Sequence, residues 1–224
     1  MKAGRVEVLR KISNLPNTAH LMTFENFETR GDKSLEEALE EAKRFSFYLA
    51  DRFYQEHKEL LESNEDSPEA KQAEAQWEAL LPDYDILTLV GGVGCGKTHL
   101  AVAIGYYRLQ GGYSVKYYRT ADLIDEISDQ IRQGESVAEF LDRLNRYDLL
   151  ILDDLGAEYG TDWAITRLEQ IIDRRYLDGL DMVITTNALK GDLPARIVDR
   201  ITDKRKARVV VIKAPSYRQL SQKR

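Results

Sequence analysis

The stretch Leu89–Tyr107, "LVGGVGCGKTHLAVAIGYY", starts apolar, breaks into glycines and resumes with apolar residues at helical spacing. Gly91, Gly96, Lys97 and Thr98 satisfy the pattern G-x-x-x-x-G-K-[ST], between a strand-like run from Ile86 to Val90 and a helix expected over Ala101 to Leu109. That context assigns the whole loop (Gly91, Gly92, Val93, Gly94, Cys95, Gly96, Lys97, Thr98 and His99) to a nucleotide triphosphate. Glycines let the backbone wrap so that successive N–H groups face phosphate oxygens, and the following helix adds unpaired N–H groups and the positive end of its dipole. Lys97 offers a point charge to the outer phosphates, and the Thr98 hydroxyl is a hard oxygen suited to magnesium. The cofactors expected are ATP and Mg2+. Cys95 reads as a small filler within the loop.

A phosphate loop needs a carboxylate on a neighbouring strand, and "YDLLILDD" ends in two. Asp153 is expected to hold magnesium through water, and Asp154 to orient or deprotonate the attacking water. A plain acidic turn is the other reading of this pair. Around these motifs strands and helices alternate: "YSVKYY" a strand, "ADLIDEISDQI" a helix capped by Thr120, "DWAITRLEQIIDRRYL" a helix, "DMVITTN" a strand. The expectation is an α/β fold of the P-loop NTPase kind, a parallel sheet flanked by helices. Upstream, Leu35, Leu39, Ala42, Ser46, Leu49 and Phe53 predict one helix from about Ser34 to Leu61, opened by a capping box of Ser34 and Glu37. Lys71 to Leu80 is a second candidate.

With 224 residues, 43% of them hydrophobic, the chain can bury one sizeable core. No run approaches the roughly 18 apolar residues of a membrane span, and "MKAGRVEVLRKISNL" lacks a signal-peptide core, so a cytoplasmic location and no membrane partner are expected. A single cysteine and three scattered histidines exclude an internal disulfide and a cysteine-built metal site, so a metal would arrive with a ligand. The net charge of −6 conceals an asymmetry. Ten Lys and Arg from Arg196 to Arg224 face only Asp199 and Asp203, whereas eight acidic residues between Gln55 and Leu80 face only Lys58 and Lys71. The basic end suits either a subunit interface or DNA. The acidic run reads as solvated surface.

"MTFENF", "GGVGCGKTHLAVAI", "DLLILDDLGAE", "VITTN", "RIVDRI" and "APSYR", in this order, resemble the AAA+ ATPases of the DnaC/DnaI type, the bacterial and phage replicative helicase loaders. The IstB-type transposition helpers share most of these motifs. The resemblance spans Thr23 to Arg218 and implies an AAA+ core with little or no C-terminal lid, flanked by tails at 1–22 and 219–224, with an acidic insertion at about 55–82. It implies Asn187 as the sensor 1 residue, Arg200 as an arginine finger acting on the adjacent subunit, Arg196 as its sensor-like neighbour, and Arg218 as sensor 2. It also implies a DnaB-type helicase, single-stranded DNA and an ATP-dependent homo-oligomer as partners, assembled head to tail without closing. Tyr117, Tyr118 and Arg119 offer stacking and phosphate contacts to such DNA, with ordinary packing of the tyrosines as the alternative.

Three features depart from the loader pattern. Only about twenty residues precede "MTFENF", too few for a helicase-binding domain, which either lies outside this chain or is replaced by another docking element. The acidic segment is an addition. Asp154 stands where many AAA+ proteins carry glutamate, and its shorter reach predicts slow hydrolysis, with Glu158, four residues on, as a candidate assistant. Competing readings are a transposition helper that coats duplex DNA and engages a transposase, a nucleotide-gated scaffold that never hydrolyses, and a small-molecule kinase, which the absence of an arginine-rich lid disfavours.

Overall fold

The computed structural model describes residues 2–62, 67–156, 161–187 and 193–217. Among these, five strands form one parallel sheet: β1 (Ile86–Gly91), β2 (Val115–Arg119), β3 (Leu149–Leu155), β4 (Asp181–Thr186) and β5 (Ala207–Ile212), in the order β2-β3-β4-β1-β5. Side chains alternate across it with a period of two. Leu87, Leu89, Ile151, Val183 and Val210 point into one core; Ile86, Leu150, Leu152, Met182 and Ile184 point into the other.

The first core is covered by α1 (Lys2–Ile12), α2 (Lys33–Phe45) and α6 (Lys97–Gln110). The second is covered by α7 (Thr120–Arg132), α8 (Val137–Leu144), α9 (Asp162–Asp178) and α10 (Ala195–Ile201). Burial on both faces explains why β1 reads as a continuous apolar run rather than an alternating one. Because all strands run the same way, Gly91, Arg119, Asp153 and Asn187 meet at one edge of the sheet. Parallel α/β sheets hold their ligands at that edge.

The single helix expected from Ser34 to Leu61 is three: α2, α3 (Tyr48–Glu56) and α4 (Lys58–Leu61). The break falls at Phe47, whose φ is +70° although it is not glycine. Arg108, buried in α6, donates to the Phe45 carbonyl at 2.8 Å, and its guanidinium lies 3.6 Å from the centre of the Phe47 ring. A tertiary cation therefore claims a carbonyl that a continued helix would have kept, and no local sequence signal announces it. The capping box also moves: Asp32 is the N-cap of α2, accepting from the Ser34 and Leu35 amides at 2.8 and 3.2 Å. Thr120 is likewise inside α7 rather than its cap, and its hydroxyl donates to the Asp153 carbonyl at 3.0 Å.

The described residues of the acidic segment fall at the end of α3, in α4 and in α5 (Pro68–Leu80), which packs with α3 and α4, and the Arg44 guanidinium donates to the Ala79 carbonyl at 2.6 Å. Residues 2–22, expected to form a tail, pack on the sheet instead. Val6, Leu9 and Leu15 lie against the first core, and the Ser13 carbonyl accepts from the Tyr117 amide at 2.8 Å. That bond covers the open side of edge strand β2. No helix among the described residues is long and apolar enough to cross a membrane.

Candidate functional site

The loop after β1 folds as its glycines require. A Cβ on Gly91 would stand 2.7 Å from the Ile212 carbonyl oxygen of β5, and Gly96 adopts φ +112° with the Phe27 ring 2.8 Å from where its Cβ would be. Both are closer than any side chain tolerates. α6 then begins at Lys97, with its free amides directed into the loop.

Lys97 is buried. Its ammonium donates to the carbonyls of Gly91 and Gly92 at 2.8 and 2.9 Å and to Asn187 Oδ1 at 2.9 Å, which satisfies all three protons. The Asn187 amide in turn donates to Asp154 Oδ1 at 3.2 Å. Asn187 thus joins the phosphate-loop lysine to the carboxylate expected to handle water. Asp154 reaches this position because its backbone is left-handed, φ +61°, where the β3–β4 register shifts between Leu152 and Leu155. Thr185 stabilises that geometry by accepting from the Asp154 amide at 2.8 Å.

Asp153 is 4% exposed, and three hydroxyls surround its carboxylate. Thr98 lies 3.0 Å from Oδ1 and 3.1 Å from Oδ2, Thr185 donates to Oδ1 at 2.7 Å, and Tyr117 donates to Oδ2 at 2.8 Å. Among the described residues no ammonium or guanidinium bonds it. A buried carboxylate without a cationic partner is costly. Facing it with a threonine hydroxyl at the start of a phosphate loop makes a hard-oxygen donor set that fits magnesium, which takes one or two protein oxygens and completes its shell with water and phosphate.

A cavity of about 460 Å³ opens beside Gly94–His99 and continues between Met22, Phe27, Arg30, Leu35 and Tyr217. His99 bonds the Thr23 carbonyl at 2.8 Å, and the Tyr217 amide donates to the Gly94 carbonyl at 2.9 Å. The Arg30 guanidinium lies 4.0 Å from the centre of the Tyr217 ring, closing the outer wall. Sequence reasoning did not assign Phe27, Arg30 or Tyr217 to the site. "MTFENF" and "SYR" contain two of them, but neither motif has a spacing that ties it to a phosphate loop far along the chain.

Arg200 and Arg196 lie on α10, against α9. Arg200 Nε donates to Asp173 Oδ1 at 2.7 Å and its Nη1 to Asp199 at 2.8 Å, while Arg196 pairs with the other oxygen of Asp173. Asp173 raises the Arg200 pKa further, first by hydrogen bonding, so the charge is permanent. The structure does not bring either arginine to the phosphate loop of its own chain through any bond among the described residues. Arg218, Glu158 and the tail at 219–224 lie outside the described residues.

Tyr117 and Tyr118 are 7% and 3% exposed, with only Arg119 of this trio at the surface. Base stacking by the tyrosines is therefore corrected: strand β2 places one ring in each core, where burial, followed by a neighbouring carboxylate, raises both phenol pKa values.

Residues 75–224, more than half of the chain, match the family described as IstB-like ATP binding protein. The uncharacterized protein YdaV of Escherichia coli K12 is 37% identical over 116 residues, covering 50% of this chain and 47% of that protein. The replicative helicase loader DnaC of Buchnera aphidicola is 33% identical over 117 residues, covering 50% of this chain and 48% of that one. A crystal structure of the DnaC helicase loader superposes with a TM-score of 0.52 at 27% identity, over 69% of this chain and 96% of that one. The chain spans about half the length of the curated relatives it matches. With the phosphate loop, paired acid and bridging asparagine on one sheet edge, these matches show that the chain belongs to the IstB-like ATP binding proteins, of AAA+ architecture and similar to the DnaC helicase loaders.

Proposed function

We propose that this chain binds ATP with magnesium, hydrolyses it slowly to ADP and phosphate, and uses the nucleotide state to switch assembly with itself, single-stranded DNA and a replicative DnaB-type helicase. The observation that carries the reading is the chain of contacts from Lys97 through Asn187 to Asp154, beside the Thr98–Asp153 pair. Lys97 and the loop amides bind the outer phosphates, and the cavity bounded by Phe27, Arg30 and Tyr217 takes the nucleoside. Magnesium, when bound, neutralises charge across the outer phosphates, and Asp153 and Thr98 would hold it.

Asp154 accepts a proton of the attacking water, and Asn187 fixes both the carboxylate and the phosphate-binding lysine, so that water and phosphate stay aligned. Arg200 acts on nucleotide held by an adjacent copy, which makes hydrolysis depend on assembly. Arg196 accompanies Arg200 at that neighbouring nucleotide, whereas Arg218 acts on the nucleotide held by its own subunit. The names of the DnaC relatives support the helicase and the replication setting. Retention of the chain by a DnaB-type helicase only when ATP is present tests this reading, and equal retention with and without nucleotide overturns it.

The match to the IstB-like family favours a second reading, a transposition helper that coats duplex DNA and engages a transposase. Titration of ATP-loaded chain with single-stranded and duplex oligonucleotides separates the two. Preference for duplex selects the transposition role.

A further inference from the structure

We infer that Tyr117 is a positioning residue for Asp153, and that the N-terminal arm of residues 2–15 is the strut that holds Tyr117 in place. The inference rests on the Mg-ATP reading above. Asp153 is pinned from both sides of β3: Thr185 on β4 holds Oδ1 at 2.7 Å, and Tyr117 on β2 holds Oδ2 at 2.8 Å. Thr98 shares the space in front of both oxygens. When Thr98 turns its oxygen to a metal, Tyr117 and Thr185 are the donors that keep the carboxylate plane facing the phosphate loop. Such outer partners of a ligating carboxylate typically contribute about 10- to 100-fold in metal affinity.

An edge strand is the least constrained part of a sheet, so a positioning residue there needs a second support. The arm provides it. The Tyr117 amide donates to the Ser13 carbonyl at 2.8 Å, and Lys116 Nζ donates to the Ile12 carbonyl at 3.0 Å. Val6 and Leu9 fasten the arm to the first core, and Leu15 packs over Gly105 of α6, the helix that begins with Lys97 and Thr98. The phenol donates its one proton to Asp153 Oδ2. Tyr117 is buried, and its hydroxyl bonds Asp153. Its effect passes through Asp153.

The test is binding of a fluorescent ATP analogue to the full chain, once with excess magnesium and once with EDTA. Tyr117→Phe should keep its affinity in EDTA and lose about ten-fold of the affinity gained with magnesium. A loosened sheet would weaken binding under both conditions, and that result overturns the proposal, as does an unchanged magnesium gain. A wild-type chain that binds no tighter with magnesium than with EDTA overturns the Mg-ATP reading as well. The pair Val6→Ala and Leu9→Ala, which thins the arm's contact with the core, should lose part of the magnesium gain in the wild type and nothing further in the Tyr117→Phe background. Independent, multiplying losses overturn the strut.

Discussion

The Thr98 hydroxyl lies 3.0 and 3.1 Å from the two carboxylate oxygens of Asp153, a residue 55 positions away in the chain. The hydroxyl donates to the carboxylate but brings no charge to balance it. Thr98 is exposed, but Asp153 is buried, and a buried aspartate at the end of a strand usually seeks a basic partner. On the Mg-ATP reading, Thr98 supplies one hard oxygen to the metal and Asp153 holds it from the neighbouring strand, water and phosphate completing the shell.

Thr98→Val keeps the shape of the side chain and removes its oxygen. The expected outcome is a loss of the magnesium-dependent part of ATP affinity by about ten-fold or more, with binding in EDTA little changed. Calorimetric titration in the two conditions measures it. Lys97→Ala behaves differently, because it removes the charge that binds phosphate with or without metal, and should abolish measurable binding in both.

Asn187 bonds Lys97 and Asp154 at once, so its loss should affect turnover more than affinity. Lys97 keeps two carbonyl partners, but Asp154 is released to move by an ångström or more. Misplacement on that scale costs about 100-fold in rate. Asn187→Ala should therefore retain ATP within a few-fold of wild-type affinity while phosphate release falls by about 100-fold. An equal fall in affinity would place Asn187 in binding instead.

The phosphate loop, the acidic pair and the alternation of strands and helices are legible in sequence because each depends on residues close together in the chain. The glycines between Gly91 and Thr98 permit positive φ that other residues rarely adopt, and Leu149 to Leu152 are apolar throughout, as a strand buried on both faces requires. What escaped reading depends on distant partners. The break at Phe47 is made by Arg108, and Tyr117 is held by the Ser13 carbonyl at its amide and by Asp153 at its hydroxyl, within the first core. Helix α8 was available from its local signal, since Ser136 and Glu139 form a reciprocal capping box, with the Ser136 amide donating to the Glu139 carboxylate at 2.9 Å. β5 went unassigned because its valines sit among basic residues that mark the surface.

Arg175 is fully buried and donates to the carbonyls of Leu144, Tyr147 and Asp181 at 3.2, 3.1 and 2.9 Å, tying α8 and β4 to α9. Burial pulls its pKa down to about 10, partly offset by Asp181, so it remains a cation at neutral pH. Arg175→Met fills similar volume but removes all three donors, leaving the Leu144 carbonyl only the long bond from the Tyr147 amide at 3.4 Å. A loss of about 3 kcal/mol is expected in urea unfolding, with nucleotide affinity of the folded fraction preserved.

Asp173 binds Arg200 and Arg196 with separate oxygens, which fixes the direction in which α10 presents both guanidinium groups. Arg200→Ala should leave ATP binding intact and lower hydrolysis in the assembled state by about 10³-fold, the lower range for arginine fingers. Asp173→Asn retains both arginines but replaces a charged acceptor by a neutral one. The finger then keeps its charge and loses part of its orientation, so hydrolysis should fall by about ten-fold while still rising with protein concentration. Phosphate release measured across a dilution series distinguishes the two variants. If Asp173→Asn instead accelerates hydrolysis, the ion pair restrains the finger rather than aiming it, and the neighbour must break that pair before it can act.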